Sequence, residues 1–300
     1  MLLIAGTVPI KSLPLTMGQV NRDGDSLLVD SQHIPCTQGT GTMIGSALAT
    51  TEYLGLQAPY ALVVGDNGRG EGSNAMYHYL IENTPELPLD VLALHYCLPN
   101  MGLSRRLCSA LEKCGRRPRL IADAASMYAA KAAGLASEFD IFTPDATEMA
   151  FLADPNATHP AYISHHLFDI DTTRTPQLVA EAYRQNSTAK VMLVKGTIDY
   201  ITREGEIITC IDRPDVPELE AIGGTGDTIT GLVSAFLYAG LEPQEAAIIA
   251  ARANRMAGQY ARATPATKVR EIIPHFTEVF REHLCQWSGV CYGKGENKDG

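Results

Sequence analysis

Residues 221–240 read AIGGTGDTITGLVSAFLYAG. Gly223, Gly224 and Gly226 crowd around Thr225 and a single acid, Asp227, directly before a run with helical spacing. The first main-chain N–H groups of a helix lack intrahelical acceptors, and the helix dipole adds partial positive charge there. Glycines, having no β-carbon, let an anion such as a phosphate approach those groups closely. A carboxylate beside such an anion is electrostatically unfavourable unless it has chemical work, such as accepting a proton. The plainer alternative is that Asp227 only favours the helix start while the glycines make a tight turn.

Outward from this turn, short apolar runs alternate with amphipathic stretches. Residues 2–5, 61–64, 91–94, 120–122, 141–142 and 191–194 read as strands buried on both faces. Residues 42–54, 73–81, 104–114, 126–133 and 176–183 between them have helical patterns. This alternation predicts an α/β fold with a mostly parallel sheet, helices on both sides and right-handed crossovers. Residues 20–30 break the rhythm: Asp23-Gly24 is a strong hairpin signal, so a small hairpin near 18–35 could serve as a lid or be an ordinary edge. After residue 191 consecutive strands are expected, with turns at Gly196 and Glu204-Gly205. Helices over 227–238, 243–262 and 269–284 then follow, punctuated by Gly240 and Pro243. The polar segment 154–175 reads as a surface insertion, and 293–300 as a disordered tail on a single domain spanning 1–292.

Composition narrows the function classes. A formal net charge of −10 argues against nucleic acid or an anionic membrane as partner. A small anionic substrate needs only one local positive site and is not excluded. The first residues, MLLIAGTVPI, suit a buried strand better than a signal peptide, and no run approaches the ~20 apolar residues of a membrane span. Seven cysteines lack any CxxC spacing, which points to reduced thiols in the cytoplasm.

The pair VKGTIDYI (residues 194–201) and GGTGDTITG (residues 223–231) resembles the ribokinase-like superfamily. The longer block from LVKGTIDYIT to AIGGTGDTITGLVSAFLYAGLEPQEAA is similar to its NAD(P)H-hydrate dehydratase branch, with Val194 where that branch has leucine. The resemblance implies a three-layer α/β/α sandwich, ATP or ADP as co-substrate and Mg²⁺. It implies Asp227 as the catalytic group and the Gly223–Gly226 amides, with Thr225, as the phosphate cradle. Lys195 and Gly196 would border the nucleotide, with Asn254 near its base.

Earlier segments add weaker likenesses. IFTPDATEMAFL (residues 141–152) resembles the strand-Thr-Pro segment of the dehydratases and the Asn-x-x-Glu motif of sugar kinases. Glu148 would then organise Mg²⁺, with Asp145 on the substrate side; alternatively the pair is only a capping box. Asp123, at a predicted strand end, either faces a ligand crevice or caps a helix. Gly39 and Gly41 resemble a substrate-binding turn before a helix, although tight packing would explain them too.

Two departures bear on the substrate. Where the dehydratases carry Gly-Pro-Gly-Leu-Gly, this chain has LALHYCLPNMG, with His95, Tyr96 and Asn100. His95 is read first as a satisfied, half-buried residue and second as a catalytic one. Residues 63–73, VVGDNGRGEGS, resemble a sugar-kinase segment or form a mobile surface turn. His159, His165 and His166 lack metal-ligand spacing, and Arg116, Arg117 and Arg119 read as solvated charges. Two enzymatic readings follow: a nucleotide-dependent dehydratase, or an ATP-dependent kinase of a sugar, nucleoside or vitamin-precursor alcohol. A nucleotide-binding sensor is a third. A homo-oligomer in which the hairpin covers a neighbour's site would fit the kinase pattern.

Overall fold

A computed structural model describes residues 1–157 and 174–289. His159, His165 and His166, most of the polar insertion and the tail lie outside the described residues. The elements in chain order are β1 (Leu2–Val8), β2 (Thr16–Asp23), β3 (Ser26–Val29), β4 (Gln32–Pro35), α1 (Gly39–Tyr53), β5 (Tyr60–Gly65) and α2 (Glu71–Asn83). There follow β6 (Val91–His95), α3 (Met101–Leu111), β7 (Arg119–Asp123), α4 (Ala125–Ala133), β8 (Ile141–Phe142), α5 (Ala146–Ala153) and α6 (Thr175–Arg184). The chain continues through β9 (Val191–Val194), β10 (Asp199–Arg203), β11 (Glu206–Ile211), α7 (Thr225–Tyr238) and α8 (Pro243–Tyr260).

The strands form one sheet in the order β11-β10-β9-β8-β7-β6-β1-β5-β2-β3-β4. Its middle, from β9 to β5, is parallel, and both flanks are antiparallel. Because side chains alternate along a strand, the central strand β1 feeds two cores. Leu2 and Ile4 pack with α1, α7 and α8 on one face. Leu3 and Ala5 pack with α2, α3, α4, α5 and α6 on the other. The result is the expected three-layer α/β/α arrangement. Among the described residues no helix is long and apolar enough to cross a membrane.

Strand order reverses beside β1: the chain leaves β1 towards β5 and returns to β6 on its other side. Such a reversal opens a crevice at the carboxyl ends of the strands. The register aligns those ends, setting Gly6 beside His95 and His95 beside Asp123, while Asp145 bridges Lys195.

The 18–35 hairpin is present, with Asp23 paired to Ser26, and β2 to β4 form a meander that continues the sheet. Val20, Leu27, Val29 and Ile34 from it are buried in the core with α1. The loop after β5 is tied down by one side chain. Asp66 Oδ1 accepts from the N–H groups of Gly68, Arg69 and Gly70 at 2.9, 3.1 and 3.1 Å, and Oδ2 from Ser73 N and Oγ at 2.9 and 3.0 Å.

Two expectations are corrected. The predicted helix over 269–284 is broken into Val269–Ile272, a 3₁₀ turn at Ile273–His275, Phe276–Val279 and a wider π turn at Phe280–Leu284. Pro274 lacks the N–H an α-helix needs there. Cys285 is disulfide-bonded, against the expectation of reduced thiols throughout, because pairing depends on proximity in space rather than on CxxC spacing. Cys36, Cys97, Cys108, Cys114 and Cys210 are free.

Candidate active site

Helices α1 and α7 pack against each other with their first turns converging on the crevice. Met43, Ile44, Ala47 and Leu48 of α1 are buried in the same core as Leu232, Val233 and Phe236 of α7. Burial of each large side chain is worth roughly 1.5–3 kcal/mol, more than the ~1 kcal/mol of one net hydrogen bond. Apolar packing therefore fixes the two helix starts. Gly41 lets α1 sit close on β4: a β-carbon there would stand 2.1 Å from the Pro35 carbonyl oxygen.

Gly224 precedes α7 in the left-handed region, with φ of 97°. A β-carbon on it would lie 3.1 Å from both Thr42 Oγ1 and Val269 Cγ1. Thr42 Oγ1 is buried without a hydrogen-bond partner among the described residues. Thr225 turns its hydroxyl inward to the Leu219 and Ile222 carbonyls, at 2.7 and 3.0 Å. The main-chain N–H groups of Gly224, Gly226 and Asp227 meet no acceptor among the described residues, and all three residues are partly exposed. A set of open amides therefore stands at the head of α7.

Asp227 lies between the two helix starts. Its Oδ2 accepts from Gly39 N–H at 2.7 Å, and its Oδ1 is 3.0 Å from His95 Nε2. Burial alone would raise its carboxyl, but the His95 hydrogen bond and charge, Lys195 and the Gly39 amide outweigh that and hold it below the ordinary aspartate value. Its side chain keeps 16% exposure, so the ionised carboxylate is reachable from the crevice.

Asp123, at the end of β7, is almost wholly buried and receives Lys195 Nζ at 3.0 Å on each oxygen. Thr230, one turn along α7 from Asp227, donates to Asp123 Oδ2, and Ala124 N–H donates to Oδ1 at 2.8 Å. Burial works against the charge on Lys195. Asp123, Glu148, Asp227 and Asp145 together outweigh it and push the ammonium above the ordinary lysine value. Gly226 abuts this lysine.

At α5 the capping-box alternative is realised. Glu148 N–H donates to Asp145 Oδ1 at 2.7 Å, and Asp145 N–H donates to Glu148 Oε2 at 2.8 Å. Burial, then the neighbouring charges of Asp145 and Asp123, push the Glu148 carboxyl well above its ordinary value. Crowded like charges of this kind suit a divalent cation, which takes oxygen ligands and keeps waters. Asn254 is buried in the α7–α8 packing, where its Oδ1 accepts from Thr228 Oγ1 at 2.6 Å.

Some of this arrangement was not read from sequence. His95 is completely buried rather than half-buried and touches Asp227 directly. Arg255 and Asp199 were not singled out at all. Arg255 Nε donates to Asp199 Oδ2 at 2.8 Å, and its Nη2 donates to the carbonyls of Gly196 and Thr197 at 2.8 and 2.9 Å. Asp199 Oδ1 also accepts from Gly196 N–H at 3.1 Å. This buried pair clamps the Lys195-Gly196 turn. No local pattern announces it, since the partners come from β10 and α8.

Solved structures share this fold at low sequence identity; a ribokinase-like superfamily protein from Enterococcus faecalis superposes with a TM-score of 0.52 at 17% identity, over 93% of this chain and 86% of that one. Another is the ADP/ATP-dependent NAD(P)H-hydrate dehydratase from Bacillus subtilis, co-crystallised with ATP and Mg²⁺. It superposes with a TM-score of 0.51 at 15% identity, over 92% of this chain and 89% of that one. The chain belongs to the NAD(P)H-hydrate dehydratase family, whose model matches residues 91–275. An uncharacterized protein of Methanocaldococcus jannaschii, MJ1337, is 38% identical over 231 residues, covering 77% of this chain and 95% of the relative. The bifunctional NAD(P)H-hydrate repair enzyme Nnr of Hyperthermus butylicus is 48% identical over 73 residues, which are 24% of this chain and 13% of that enzyme.

Proposed function

We propose that this protein is a nucleotide-dependent dehydratase of hydrated NAD(P)H, using ATP or ADP. The observation that carries the reading is the ionised, crevice-facing carboxylate of Asp227 beside the unpaired amides of Gly224, Gly226 and Asp227. In this scheme Asp227 accepts the proton of the hydrate hydroxyl as its oxygen attacks the terminal phosphorus of the nucleotide. The bond from that phosphorus to the nucleotide leaving group breaks. Loss of the phosphate ester from the ring, with departure of a neighbouring proton, then restores the nicotinamide double bond. The α7 amides hold the charge on the transferring phosphoryl group, a contribution of about 3–4 kcal/mol per donor in comparable anion holes. Lys195 adds fixed positive charge, and the Arg255–Asp199 clamp keeps the Gly196 turn in place. Glu148, with Asp145 beside it, would hold Mg²⁺, which when bound neutralises phosphate charge.

Phosphoryl transfer depends on positioning and charge stabilisation, so a weakly basic aspartate suffices. The same residues would serve an alcohol kinase, and one observation favours that second reading. The Gly-Pro-Gly-Leu-Gly loop of the resembled dehydratases is replaced by His95 and Tyr96, and Tyr96 stands 45% exposed at the crevice. The test is incubation with Mg²⁺, ATP or ADP and hydrated NADH, following recovery of reduced-cofactor absorbance. ATP consumption only with an added alcohol panel would select the kinase. Asp227→Asn is expected to lower turnover about 10²–10⁴-fold with nucleotide affinity little changed. Near-normal turnover by that variant would remove Asp227 as the base.

A further inference from the structure

We propose that His95 is a positioning residue for Asp227, acting as a doubly donating imidazole that clamps the carboxylate from beneath; the inference rests on the role given to Asp227 above. The argument begins with counting hydrogens. Thr40 Oγ1 lies 2.7 Å from the Thr7 carbonyl oxygen and 2.9 Å from His95 Nδ1. A hydroxyl has one proton, and a carbonyl can only accept. Thr40 therefore donates to Thr7, and His95 Nδ1 donates to Thr40. At the other side of the ring, Nε2 faces Asp227 Oδ1 at 3.0 Å and Asp123 Oδ2 at 3.9 Å. Ionised carboxylates only accept, so Nε2 donates as well.

The charge count agrees. Asp227, Asp123, Lys195 and His95 form a cluster in which no side chain is more than 16% exposed. A doubly donating His95 gives two anions and two cations; a neutral ring would leave one buried negative charge without a partner, which is costly. Groups facing this cluster from the surrounding elements are Tyr96 after β6, and Asp145 and Glu148 at the start of α5. Burial and neighbouring charge disfavour the ionised form of Glu148, so it is Asp145 that adds negative charge and favours the cation. The three groups His95, Asp123 and Asp227 lie close enough to ligate a metal ion. The Lys195 ammonium at 3.0 Å from both Asp123 oxygens already fills that role, and the donor count leaves His95 no lone pair to offer.

His95 does not reach the crevice, being wholly buried with the Tyr96 ring edge-on to it at 4.3 Å. It acts through Asp227: with Gly39 N–H on Oδ2 and His95 on Oδ1, the carboxylate is held at both oxygens.

The experiment has two arms. In histidine-¹⁵N-labelled wild-type protein, with His95→Gln identifying the resonances, both ring nitrogens of His95 should carry protons at neutral pH. A ring with one bare nitrogen overturns the assignment, as does added Zn²⁺ that displaces the Nε2 proton. In kinetics, His95→Gln should lower kcat about 10²-fold, the usual cost of a misplaced reacting group, with nucleotide KM little changed. Its acidic limb should move to higher pH, because a cation beside the base has been removed. Unchanged kcat and limb overturn the positioning role even where Asp227→Asn is inactive. If Asp227→Asn keeps full turnover, it is instead the reading of Asp227 that fails, whatever the spectrum shows.

Discussion

Replacing Arg255 with methionine tests the clamp on the Lys195-Gly196 turn. Arg255 and Asp199 side chains are 8% and 4% exposed, so their pairing is little screened by solvent. Methionine keeps much of the volume but strands the Asp199 carboxylate and two carbonyls that now accept from Nη2. Removing one partner of a buried pair costs about 3–5 kcal/mol. Urea unfolding should show this loss directly as a lower midpoint at similar slope. The sign of its pH dependence is also fixed. Burial raises the Asp199 carboxyl above its ordinary value, and Arg255 offsets only part of that. A folded value above the unfolded one means that protonation favours the folded chain, more strongly once Arg255 is gone. The deficit should therefore shrink as pH falls towards the carboxylate range. The double variant Asp199→Asn, Arg255→Met should recover part of the loss. A deficit below about 1 kcal/mol, the worth of an exposed pair, or strict additivity in the double-mutant cycle would refute this account.

Two further outcomes are expected. Gly224→Ala forces a side chain into positive φ and against Thr42 and Val269; circular-dichroism melts should reveal a loss of about 1–3 kcal/mol, with nucleotide binding weakened in calorimetry. The carboxyl of Asp227 is lowered in the folded chain, so its stabilising contribution is present above the unfolded value of about 3.9 and lost as pH falls through the folded one. Wild type and Asp227→Asn should thus differ in stability at neutral pH and converge in acid, and a constant gap would contradict the pairing with His95.

The layered fold was legible because each buried parallel strand is a short apolar run, and the six runs read as core strands lie within β1, β5, β6, β7, β8 and β9. The turn at 223–227 was legible for a local reason too, since glycine beside a helix start has few other uses. Contacts between distant segments were not. His95 meets Asp227 across 132 positions and Arg255 meets Asp199 across 56, and neither pair leaves a periodic trace. For His95 the commonest role of a strand-end histidine prevailed in the reading, because only the register of β6 against β1 and β7 sets it beside Asp123 in the buried layer under Asp227. The capping box of Asp145 and Glu148 was visible as one of two alternatives, and the exposed Asp145 and half-buried Glu148 leave both open to the same residues.

The Asp66 carboxylate answers five donors, two from Ser73 in the first turn of α2 and three successive peptide groups of its own loop that could otherwise greet a visiting anion. Fixing each residue of a free loop costs about 1–2 kcal/mol of conformational entropy. Here that ordering is completed during folding, before any small molecule arrives. This stretch of the carboxyl edge is therefore masonry rather than a hinge, its shape set by the chain's own carboxylate.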